Sequence, residues 1–196
     1  PKSRSDLLDF ALSGPLVQLL ISTVLVSSGL YLTIHSSAEI LPNLPVIPVA
    51  LLKSSFLVSS IASFVAPGLL TLPLSQPVPI HPLVMIGLSG LLSSALNMLP
   101  IGRLDGGRAC TAAFGRRTAK LFSFLTLLLM AITSLLGYSN VFIFWGALTV
   151  LFQRSTEIQL MDEVNEVDDV RFGAYLVLQL LSVLILAPFP GGVGMM

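Results

Sequence analysis

Asn97-Met98-Leu99-Pro100-Ile101-Gly102-Arg103-Leu104-Asp105-Gly106-Gly107-Arg108 decides how this chain is read. It follows an apolar run, Pro82 to Leu96, that reads as a membrane helix. A membrane helix normally ends among lipid headgroups. This one ends in an amide, a proline, a carboxylate and three glycines. Pro100 has no N–H and clashes with the carbonyl four residues back, so the spacing predicts a broken or kinked helix there. The glycines allow backbone to approach backbone, or a ligand, closely. Asp105 stands a few residues past the break, where a carboxylate is costly unless paired, hydrated or bound to metal. Two readings of Asp105 follow. It serves chemistry, or it caps the next helix and pairs with Arg108.

Composition supports the membrane assignment. The 196 residues are 54% hydrophobic and 10% charged, with mean hydropathy +0.92, against about 25% charged residues in soluble domains. The expected fold is all-α, a polytopic membrane protein of about five to six transmembrane helices. A formal net charge of zero excludes a basic nucleic-acid surface. The single cysteine, Cys110, forms no intramolecular disulfide and reads as a small buried residue.

The rest of the chain arranges itself around the motif as one membrane domain over 1–196. Ser5 or Asp6 is placed to cap a first helix, and the first span covers 11–34. Its Ser13-Gly14-Pro15 step is small and kinkable. Residues 35–47 read as a loop. Residues 49–72 are apolar but interrupted by serines, Pro67 and Gly68, so they span, lie at the interface or re-enter. A proline-rich linker, 73–81, leads to the motif span, 82–101. Spans at 121–136, 141–152 and 172–187 follow, with an acidic loop at 153–171 and a Gly/Pro tail. Lys2 and Arg4 precede the first span, and Arg103 to Lys120 follow the motif helix. If both basic clusters lie on one side of the membrane, an even number of crossings separates them, and 49–72 adds no single crossing.

The pattern N-x-x-P-x-x-x-L-D-G-G resembles the second signature of the site-2 protease family, the intramembrane zinc metalloproteases. The resemblance implies that Asp105 is a zinc ligand. It also implies that Asn97, Pro100, Gly106 and Gly107 shape the substrate cleft beside it. The series Ile80-His81-Pro82-Leu83-Val84, Gly115-Arg116-Arg117-Thr118-Ala119, Phe152-Gln153-Arg154 and Glu166-Val167 is similar to the plant and cyanobacterial branch, that of the ethylene-dependent gravitropism-deficient and yellow-green proteases. That similarity implies a plastid or thylakoid-type membrane. Arg103 departs from the small or mildly polar residue common at its position, and its guanidinium two residues from Asp105 could compete with a cation.

A catalytic zinc takes about three protein ligands and keeps one position for water. The family draws two of them from H-E-x-x-H, whose Glu is the general base. No H-E-x-x-H occurs in this sequence, and its two histidines are His35 and His81. His81 stands 16 residues before Asn97, about 24 Å along a helix, and reads as an interfacial or capping residue. No catalytic residue is therefore assigned in this chain. The expectation is the C-terminal part of a Zn2+ metallopeptidase whose remaining ligands and base lie upstream. Its partners would be membrane lipids and a membrane-embedded protein substrate, not nucleic acid. The rival is a catalytically inactive homologue acting as a scaffold or chaperone-like partner. A channel or transporter is a third reading, disfavoured by the lack of an internal repeat.

Overall fold

The computed structural model describes residues 3–37, 41–135, 140–152 and 167–188. These form nine α-helices, one 3-10 turn and a two-stranded ribbon among the described residues. In order they are α1 (Arg4–Ile34), the turn Leu41–Asn43, β1 (Val46–Pro48), α2 (Val49–Lys53), α3 (Phe56–Val65), α4 (Pro67–Leu70), β2 (Pro77–Pro79), α5 (Pro82–Asn97), α6 (Asp105–Phe114), α7 (Arg116–Leu135), α8 (Asn140–Phe152) and α9 (Asp169–Leu186). The chain divides into two compact units. One holds Pro1–Leu16 and Asn97–Gln179, the other Val17–Leu96 and Leu180–Met196.

Among the described residues three helices are long and apolar enough to cross a membrane: α1, α7 and α9. The expected five to six crossings are not matched by as many long helices. α5 and α3 are apolar but shorter, and α8 has 13 residues. The fold is mostly helical, as expected, and β1 and β2 add one short antiparallel ribbon. The acidic loop expected over 153–171 falls largely outside the described residues, as does the turn expected at 137–140. The last three residues of that acidic loop belong to α9.

α1 opens on a reciprocal cap. The Asp6 N–H donates to Ser3 Oγ at 3.2 Å, and the Ser3 N–H donates to Asp6 Oδ2 at 3.1 Å. The cap is thus Ser3, not Ser5, with Asp6 as its return partner, in a capping-box arrangement. Pro15 sits inside the helix, which runs through it to Ile34.

In the second unit, α1 and α5 touch through small residues. A Cβ on Gly87 would lie 2.6 Å from Val26 Cγ2, and one on Gly29 would lie 2.7 Å from Val84 Cγ2. Such close approach substitutes packing for the hydrophobic drive that lipid does not supply. The His81 N–H donates to Thr33 Oγ1 at 2.9 Å, and His81 Nδ1 accepts from the Leu83 N–H at 3.3 Å. His81 therefore caps α5. His35 stacks on Tyr31, with ring centroids 4.1 Å apart.

The ribbon pairs Val46 with Pro79, Ile47 with Val78, and Pro48 with Pro77. Flanking bonds run from the Ile80 N–H to the Pro45 carbonyl and from the Val49 N–H to the Gln76 carbonyl. In an antiparallel ladder bonded and non-bonded pairs alternate. Ile47 and Val78 are then the bonded pair, and both are buried. Pro48, Pro77 and Pro79 occupy positions whose N–H would point outward, where proline is tolerated.

In the first unit, α7 packs on both α6 and α8. Arg4 of α1 reaches the far end of α6: its Nε donates to the Ala112 carbonyl at 2.8 Å and its Nη2 to the Ala113 carbonyl at 2.9 Å. Those carbonyls lie in the last turn of α6, where intrahelical donors run out. Phe114 meets Phe122, Phe172 and Tyr175, with ring centroids 5.4–6.0 Å apart.

Candidate metal centre

α5 ends at Asn97 and α6 begins at Asp105. The seven residues between them fold back on themselves. The Ile101 N–H donates to the Leu99 carbonyl at 2.7 Å, and the Leu104 N–H to the Ile101 carbonyl at 3.1 Å. Gly102 has φ 52°, a left-handed conformation that glycine adopts without steric cost. Ile101 and Leu104 are buried with Met130 of α7, and Leu99, Leu127 and Trp145 pack around them. Apolar side chains thus anchor the segment, with Asn97 and Asp105 flanking it.

Gly106 and Gly107 make the fold-back possible. A Cβ on Gly106 would overlap the Met98 carbonyl and come within 2.6 Å of the Leu99 oxygen. One on Gly107 would overlap the Gly102 carbonyl and approach the Ile101 oxygen at 2.7 Å. The first turn of α6 therefore lies directly against the backbone that follows Asn97. Pro100 is held from α7, where the Ser123 hydroxyl donates to its carbonyl at 2.7 Å. This contact had no sequence signal, since a serine in an apolar helix looks like any small residue.

Asp105 is the first residue of α6, with Leu104 as N-cap. It is not the cap itself. Its carboxylate sits at the positive end of the helix dipole. Burial pushes its pKa up, and the Arg108 guanidinium pulls it back down. A carboxylate in such a place gains from a nearby cation. Arg108 lies one turn further on, its guanidinium carbon 5.7 Å from the centre of the Phe10 ring. Cys110 is buried; burial raises its thiol pKa, with a hydrogen bond to Tyr175 acting the other way. A buried, protonated thiol is not a nucleophile.

Among the described residues no three or more of His, Cys, Asp and Glu lie together in a group able to hold a metal. Asp105 offers one donor, and the described residues do not by themselves make a zinc site. Asn97, Pro100, Asp105, Gly106 and Gly107 belong to one compact unit, and the fold-back brings backbone from 98–102 against Gly106 and Gly107.

The chain is 34% identical over 185 residues to the "Probable zinc metalloprotease EGY1, chloroplastic" of Arabidopsis thaliana, covering 94% of this chain and 33% of that protein. The resemblance is to the chloroplast branch of the site-2 protease family. Similarity to the Arabidopsis "Probable zinc metallopeptidase EGY3, chloroplastic" reaches 44% over 115 residues, 59% of this chain and 20% of the relative. The EGY2 protein of Oryza sativa subsp. indica, also named a probable chloroplastic zinc metalloprotease, is 30% identical over 189 residues, 96% of this chain and 33% of the relative. The chain thus spans a third or less of the length of these EGY relatives. No protein-family model matches it. No solved structure matches it.

Proposed function

We propose that this chain forms part of an intramembrane zinc metalloprotease of a plastid membrane, one that hydrolyses peptide bonds of membrane-embedded proteins. The observation that carries the reading is Asp105, a partly buried carboxylate at a helix N-terminus, beside a glycine-packed break that bears Asn97 and Pro100. Names of the EGY relatives support zinc and proteolysis. Asp105 serves as one metal ligand, and the other ligands and the general-base Glu come from residues outside this chain. A zinc ion held with Asp105 as one of its ligands would supply Lewis-acid chemistry for hydrolysis.

The chain's own residues do the positioning. Gly106 and Gly107 let the first turn of α6 sit against the broken segment, which fixes Asp105 relative to Asn97 and Pro100. The break leaves a stretch with no continuous helical ladder, against which an extended substrate segment lies. In this reading α1, α5, α7, α8 and α9 cross the membrane, with the motif as the interruption of one crossing.

The rival reading is a non-catalytic homologue acting as a membrane scaffold. Arg108 favours it, because its guanidinium already faces the Asp105 carboxylate and competes with a cation there. The deciding experiment uses the complete gene product, purified in detergent. Metal analysis should find zinc, a transmembrane substrate should be cut, and D105A should lose both. A complete reading frame without H-E-x-x-H, or a D105A protein that keeps its zinc and its cleavage, overturns the protease reading.

A further inference from the structure

We infer that Ser123 is a positioning residue that holds the substrate-cleft side of the motif. The inference rests on the reading of Asn97 and Pro100 as cleft residues. Hydroxyls inside apolar helices usually bond back to the carbonyl three or four residues earlier. Ser27, Ser28, Thr33, Ser60, Thr133 and Thr149 all do so in this chain. Ser123 instead donates across to the Pro100 carbonyl, 23 residues away, at 2.7 Å.

The backbone of the break explains why that carbonyl needs a donor. Leu99 and Ile101 have their carbonyls taken by the tight turns within the segment. Between them, the Pro100 carbonyl lies where no regular ladder runs. That carbonyl is half-buried, and leaving it unmatched there carries a cost. The Ser123 hydroxyl meets it and ties the break to α7, one turn before the level at which Leu127 and Met130 pack on Leu99, Ile101 and Leu104. Asp105 is held separately, through the contacts of Gly106 and Gly107 with backbone. Ser123 therefore governs the Pro100 side of the motif and leaves the Asp105 side in place.

The test compares S123A, S123V and S123T in the complete gene product, reconstituted in lipid nanodiscs. Three quantities are read: hydrogen exchange of the 101–104 amides, zinc content, and KM and kcat on a transmembrane substrate. S123A and S123V should speed exchange and raise KM by about three- to tenfold, the equivalent of one lost half-buried hydrogen bond. Zinc content should not change, and S123T, which keeps the hydroxyl, should restore both quantities. Unchanged exchange in S123A overturns the inference, and so does an S123T protein as impaired as S123A, because either makes the position a packing contact. A wild-type protein without zinc-dependent cleavage overturns the protease reading and the cleft role together. Intact cleavage that S123A leaves unaltered overturns Ser123 alone.

Discussion

Gly106 lies against the Met98 carbonyl, closer than any side chain would allow. The two residues belong to different segments of the motif, and their contact is what closes the fold-back. G106A forces backbone apart rather than a flexible side chain, and should cost about 1–3 kcal/mol. G107A, aimed at the Gly102 carbonyl, should act alike. Gly173 of α9 has nothing within 4 Å of a built Cβ, so G173A should be neutral or stabilise by about 0.5–1 kcal/mol. Thermal melting of the three variants in one detergent gives the comparison; equal loss at all three would contradict the assigned packing.

Arg4 ties the start of α1 to the end of α6 by two hydrogen bonds to carbonyls. Its side chain is only part-buried there, so solvent screens part of the gain. R4A should still destabilise the protein, by about 1 kcal/mol. R4K, which supplies a single point donor rather than a fork, should recover only part of the loss. Chemical denaturation of the reconstituted variants measures both, and R4K equal to wild type would remove the bidentate role.

Sidedness follows from the same clamp. Arg4 touches Ala112 and Ala113, so if α1 crosses a membrane, its start and the end of α6 lie at the same face. The chain between them would then cross an even number of times, the parity expected if both basic clusters lie on one side. In a C110A background, S3C and R117C should react with an impermeant maleimide added from the same side. Opposite sides would break the topology.

Asp168 makes an exposed ion pair with Arg171 at 2.6 Å, and the same arginine reaches Asp9 at 2.8 Å. The Arg171 hydrogen bond lowers the Asp168 pKa. A lowered carboxylate pKa adds stability above the unfolded value, about 3.9, and that stability is lost as pH falls through the folded value. Melting midpoints should therefore show no Asp168 contribution to any slope between pH 5 and 8. Below about pH 4 the wild type should lose more than D168N does. Exposure on both sides keeps the effect small, and added salt should shrink it further. A D168N profile parallel to wild type at every pH would remove the pair from the account.

The motif was legible because Pro100 and the glycines dictate local backbone in one step. A break after Asn97 needs no tertiary information to be expected. Cys110 as a buried small residue and His81 as a cap were readable for similar reasons, from position and neighbours. The ribbon was not. Val46-Ile47-Pro48 and Pro77-Val78-Pro79 look like linkers, since proline argues against a strand unless its edge position is known, and register cannot be read before pairing. The cap of α1 was expected at Ser5 or Asp6 rather than Ser3, because all three are good capping residues by type alone. The run expected over 82–101 ends as a helix at Asn97, because hydropathy continues through Met98, Leu99 and Ile101 while Pro100 and Gly102 stop the ladder, whereas the short run expected at 141–152 is the 13-residue α8.

The prolines of the ribbon carry a consequence for association between copies. Outward-facing positions on β2 offer carbonyl oxygens and no donor, and on β1 the Val46 N–H is the one donor left at its edge. Two copies meeting there in a crowded bilayer would set acceptor against acceptor. The chain can thus keep a short sheet among its helices without giving a neighbouring molecule an edge on which to extend it.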